Sequence, residues 1–125
     1  MYLQHFKRMP LKLFDVTLRD GLQSIPKMYS LVEKKDMLRN IINTHNPSSV
    51  EIGSIVSPKL LPQMADSIEL YNAVVSSKDI MNSGTDIYML TPSIKALKIA
   101  HDNNVKNFSF ITSVSTQFQE KSINK

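Results

Sequence analysis

The chain has 125 residues, 42% hydrophobic and 21% charged, which is ordinary globular usage and excludes the low-hydrophobicity, high-charge pattern of disorder. It has the size of one domain or a piece of one; its apolar runs all break well short of the ~20 residues of a membrane helix, and with no cysteine it has no disulfide framework, zinc–thiolate centre or thiol nucleophile. A net charge of +4 and a sequence pI near 9.4 would suit an anionic partner, but Lys and Arg are interleaved with Asp and Glu as on a solvated surface, so a nucleic-acid partner is not expected.

Residues 1–10 contain Lys7 and Arg8 but no apolar core, and read as an N-terminal tail rather than a signal or transit segment. The expected compartment is the cytoplasm. Residues 11–125 then form the domain.

Leu11 to Leu18, LKLFDVTL, mixes contiguous and alternating apolar residues and is expected to be a strand buried mostly on both faces. After a loop with Gly21 and Pro26, Ser30-Leu31-Val32-Glu33 has the form of a capping box. Leu31, Leu38, Ile41 and Ile42 follow at helical spacing until Asn46-Pro47 ends the run.

Ser49 to Gly53 is a short β-type run leading into a long connection, Ser54 to Ala65, with two prolines. Ile68, Tyr71 and Val74 or Val75 mark a second helix, and Ser83-Gly84 a turn before a third strand, Asp86 to Leu90. Thr91-Pro92 reads as an N-cap with proline at the first helical position, starting a helix that carries Ile94, Leu97 and Ala100. Asn103-Asn104 closes it, and Asn107 to Thr112 is a fourth strand with Phe108 and Phe110 on alternate positions.

The order βαβαβαβ implies an α/β fold with parallel strands, as in a doubly wound sheet or a (β/α)₈ barrel. In either, chemistry belongs where strands end and βα loops begin.

The first strand runs into Thr17-Leu18-Arg19-Asp20-Gly21-Leu22-Gln23, which sets a permanent cation, a carboxylate and a carboxamide side by side. Asp20 is a candidate ligand for a divalent metal and Arg19 a candidate stabiliser of an oxyanion; a local Arg19/Asp20 surface pair, with Gly21 chosen for positive φ, explains the same residues. Glu51 lies among Val50 and Ile52, where a carboxylate needs a partner; it either points into a polar mouth or forms a structural ion pair, and Arg19 is the natural mate in both cases. Lys59, in the loop after the second strand, could meet an anionic substrate or simply be solvated. His5, His45 and His101 fall at no expected strand mouth and are not read as ligands or bases.

Phe14 to Gln23, FDVTLRDGLQ, resembles the opening strand of the pyruvate carboxyltransferase-like metal-dependent barrels. Glu51 to Asp66, EIGSIVSPKLLPQMAD, is similar to the hydroxymethylglutaryl-CoA lyase version of the second strand and its loop. Leu90-Thr91-Pro92 and the stretch Ser113 to Asn124 look like that family's third and fourth units.

The resemblance implies the first four βα units of a (β/α)₈ (TIM) barrel. It implies a metal-assisted cleavage of 3-hydroxy-3-methylglutaryl-CoA to acetyl-CoA and acetoacetate, with Mg²⁺ or Mn²⁺ as cofactor and a CoA thioester as substrate. It makes Asp20 a metal ligand, Arg19 a catalytic and substrate-binding arginine, Glu51 an active-site glutamate, and Gln23 and Lys59 substrate contacts.

Two departures accompany it. Ser24-Ile25-Pro26-Lys27 stands where the lyases have Asn and Glu and then a basic residue, and the family's His-x-His pair, further asparagine ligand and glycine-rich catalytic loop are not in this sequence. The expectation is therefore a truncated relative, inactive alone and prone to self-association. The alternatives are half of a split lyase completed by a partner chain, or a non-enzymatic module that binds CoA, nucleotide or nucleic acid.

Overall fold

The structure is a computed structural model, and it describes residues 12–110. Four parallel strands form one sheet in the order β1-β2-β3-β4: β1 (Phe14–Asp15), β2 (Ser49–Ser54), β3 (Asp86–Leu90) and β4 (Asn107–Ser109). Between them run α1 (Leu31–His45), α2 (Ser67–Val75), the short α3 (Lys78–Met81) and α4 (Ile94–Asp102).

α1 starts as its sequence dictates. Ser30 Oγ accepts from the Glu33 amide at 3.1 Å, and Glu33 returns the bond to the Ser30 amide at 3.0 Å. Asn46, at φ 43°, ends the helix in the left-handed region. Gly84, at φ +80°, makes the turn into β3 that a Cβ would strain.

Helical side chains cover one face of the sheet. Leu38 and Ile42 from α1, Leu70 and Val74 from α2, and Ile80 from α3 pack with Val50, Ile52, Ile87 and Met89 in one buried cluster. Gly53 is required by this packing: a Cβ there would lie 2.8 Å from Ser67 Cβ on α2, far inside contact distance. Glu51 pairs in register with Tyr88, whose ring meets Phe14 edge-on at 5.1 Å. No helix among the described residues is long and apolar enough to cross a membrane.

Several elements differ from the sequence reading. The first strand is shorter, because the Val16 carbonyl accepts from the Asp20 amide at 2.7 Å and the Gly21 amide at 3.3 Å. This folds Thr17–Gly21 into a π-helical turn and takes Thr17 and Leu18 out of the ladder. Nor is the strand buried on both faces, since Leu13 and Phe14 are about half exposed.

The cap of α4 is Ser93, whose Oγ accepts from the Ala96 amide at 3.0 Å, whereas Thr91 spends its hydroxyl on the Ser109 carbonyl. The short α3 was not expected. β4 stops at Ser109, leaving Phe110 outside the ladder and exposed; Ile111, Thr112, the Ser113–Asn124 stretch and the tail with His5 lie outside the described residues.

Candidate functional site

The π-helical turn after β1 is what presents Arg19. Leu18 is fully buried and anchors the turn, and its neighbour Arg19 reaches β2 with its side chain 16% exposed. Arg19 Nε donates to Glu51 Oε1, a contact that joins the first two strands. Arg19 Nη1 lies 3.3 Å from Asp20 Oδ1 and 3.4 Å from Gln23 Oε1. Four of the five residues that the sequence singles out therefore converge.

Glu51 is 2% exposed, and both its oxygens are engaged: Ser109 Oγ donates to Oε2 from the end of β4. A carboxylate so placed among Val50 and Ile52 is stable only with such partners. Of the two readings left open for Glu51, the ion pair with Arg19 is present; Glu51 itself lies in the middle of β2, and its partners come from the turn after β1 and the end of β4. Gly21 is a correction. It is not at positive φ, and a Cβ there would meet Thr17 Cγ2 at an ordinary 3.5 Å.

Ser109 was missed by the sequence reading. The signal was available in the alternation of β4, because if Phe108 and Phe110 take one face, Asn107 and Ser109 take the other. Lys59 is exposed in the loop after β2, and among the described residues it forms no ion pair with this cluster. His45 and His101 are exposed helix residues, His101 lying 3.9 Å from Asp102.

A magnesium-type ion takes about six oxygen ligands in near-octahedral geometry. Among the described residues no three of His, Cys, Asp and Glu gather in a way that could hold one. Asp20 offers an exposed carboxylate, with one oxygen partly engaged by Arg19, while Glu51 is already committed on both sides. These residues fit one ligand of such a site and not a complete site.

The arrangement can hold a guanidinium rigidly at the sheet's carboxyl end, with a carboxylate and a carboxamide beside it. That is an anion-binding and oxyanion-stabilising geometry.

Comparison with known proteins bears on the family and the fold. Residues 10–125 match the HMGL-like family. The chain is 28% identical over 113 residues to the 3-hydroxy-3-isohexenylglutaryl-CoA/hydroxy-methylglutaryl-CoA lyase of Pseudomonas aeruginosa, covering 90% of this chain and 36% of that protein. It is 30% identical to the mitochondrial hydroxymethylglutaryl-CoA lyase of Arabidopsis thaliana, covering 90% of this chain and 23% of that one.

Among solved structures, an HMG-CoA lyase from Acinetobacter baumannii in complex with coenzyme A and 3-methylmalate superposes with a TM-score of 0.72 at 30% identity. The match covers 92% of this chain and 36% of that one. The chain thus spans about a third or less of the length of these relatives. The four parallel strands alternating with helices are the corresponding part of the TIM barrel of those lyases.

Proposed function

The chain belongs to the HMGL-like family, and from that premise we propose that its Arg19 cluster is one side of a hydroxymethylglutaryl-CoA lyase active site, without activity until further strands complete it. The observation that carries this reading is the buried Arg19–Glu51–Ser109 arrangement, which joins the turn after β1 and the last residue of β4 to the middle of β2. The turn after β1 and the end of β4, which supply Arg19 and Ser109, are where an active site in a parallel α/β fold lies.

The reaction is the cleavage of a 3-hydroxy-3-methylglutaryl thioester of CoA. A base takes the C3 hydroxyl proton, the C2–C3 bond breaks, acetoacetate leaves with the new ketone, and the acetyl-CoA enolate takes up a proton. Arg19 binds the substrate oxygen on which negative charge develops. Glu51 orients Arg19: with one oxygen on Nε and the other on Ser109, it fixes the guanidinium instead of exchanging a proton with substrate.

Gln23 steadies the other edge of the guanidinium and contacts substrate, and Lys59 meets the anionic end of the substrate from the β2 loop. Asp20 is the residue placed to be one ligand of Mg²⁺ or Mn²⁺, which would supply Lewis-acid charge at the reacting oxygen. The remaining ligands belong to the part of the barrel that the relatives possess beyond this match.

The test is acetoacetate release from 3-hydroxy-3-methylglutaryl-CoA with Mg²⁺ or Mn²⁺. The chain alone should release none. Co-expressed with the segment of the Pseudomonas aeruginosa lyase that this chain does not cover, it should restore release above that segment alone. Release by the chain alone refutes the need for completion.

A further inference from the structure

Lys34 lies within α1 on the face it shares with Leu38 and Ile42, and is 2% exposed. An ammonium buried there is costly unless its donors are met. Its Nζ donates to Asp66 Oδ1 at 2.6 Å and to the Gln63 carbonyl oxygen at 2.7 Å. Both acceptors belong to the connection that follows β2.

The path continues in two directions. The Gln63 side chain donates from Nε2 to the Ile25 carbonyl at 2.8 Å, two residues past Gln23 in the loop after β1. Next to Asp66, Ser67 Oγ accepts from the Ser54 amide at 3.1 Å and donates to the Met64 carbonyl at 2.7 Å. Ser54 is the last residue of β2, three beyond Glu51.

We propose that Lys34 is a positioning residue: through Asp66 and Gln63 it ties the loop carrying Gln23 to the end of β2, the strand that carries Glu51. The tie itself stands on this geometry; that what it spaces is an active site rests on the function proposed above.

The residue type fits the task. A methionine would fill the same volume but leave the Gln63 carbonyl and the Asp66 carboxylate without their donor, whereas a lysine's long apolar stem reaches both from a buried backbone. Buried ion pairs contribute little net stability next to apolar packing of the same volume, so fixing the geometry of the two loops is the role that accounts for this one. A purely structural lysine would lower the stability of the whole fold evenly. A positioning lysine, when removed, frees the two loops first.

Amide hydrogen exchange on the full chain separates these outcomes without substrate. In K34M the hydrogen-bonded amides of Ile25, Leu61, Met64 and Ala65 should exchange roughly tenfold or more faster, while Val50, Ile87 and Met89 in the sheet keep their protection. K34R, which can still donate to both acceptors, should restore most of the loop protection.

If K34M does not fold, D66A carries the test, because Asp66 is 26% exposed and its replacement removes the acceptor while leaving the core packing in place. Unchanged loop exchange in the folded variant, or an equal rise in loops and sheet, overturns the proposal. Neither result bears on acetoacetate release, so this inference and the proposed function can fail separately.

Discussion

Replacing Arg19 by methionine removes the cation and leaves Glu51, 2% exposed, with Ser109 Oγ as its donor among the described residues. Removing one partner of a fully buried pair costs on the order of 3–5 kcal/mol. Arg19 itself is 16% exposed, so water can reach the vacated side and about 2–4 kcal/mol is the appropriate range. With a urea m-value of about 1–2 kcal/mol/M for a small domain, the unfolding midpoint should fall by roughly 2 M.

E51Q keeps one acceptor oxygen and the packing, and should cost about 1–2 kcal/mol. The decisive quantity is the coupling. If the two side chains interact as described, R19M/E51Q should be less destabilised than the sum of the single variants by about 1–2 kcal/mol. Urea unfolding followed by circular dichroism measures all four proteins. Additivity within about 0.5 kcal/mol would refute the buried pair.

Three further outcomes follow from the packing and the caps. G53A forces a methyl onto Ser67 and should cost about 1–3 kcal/mol in thermal unfolding, with S67G relieving part of it. Leu38→Ala, at a fully buried site on α1, should cost about 2–5 kcal/mol in urea unfolding.

The backbone and side-chain hydrogen bonds from Ser30 lower the Glu33 carboxyl pKa, and the hydrogen bond from Arg39 lowers that of Asp79. Folded values below the unfolded ones mean that this stabilisation is present above the unfolded pKa and is lost as pH falls through the folded one. E33Q should therefore be less stable than the parent at pH 7 and converge with it in acid; a difference that grows on acidification would contradict the sign.

Much of the fold could be read from local chemistry. The Ser30/Glu33 box, Asn46, the Ser83-Gly84 turn and the apolar run of β3 each specify their own conformation, and each lies where the sequence places it. The misplacements share a cause: where two groups compete for one backbone partner, tertiary contacts choose. Thr91 is as good a cap by composition as Ser93, but β4 lies close enough to take its hydroxyl. The π-helical turn draws the Val16 carbonyl away from the ladder for the same kind of reason.

At the site, the costly burial of a carboxylate made Glu51 and its mate Arg19 legible. For Ser109 only its face was legible, from the alternation of β4, because its meeting with Glu51 depends on strand register across 58 residues. Lys34 was hidden as well, since a lysine in a helix reads as surface until the connection after β2 is seen folded over it.

In the proposed function Arg19 serves the chemistry of a lyase site and not only the packing of this chain. The most direct measurement is the rate of acetoacetate release by the completed assembly carrying R19K, in which the charge is kept but the planar fork is lost. The rate should fall roughly 10²-fold or more with assembly intact, the size of loss that follows removal of one oxyanion donor. Release at the parent rate would contradict it.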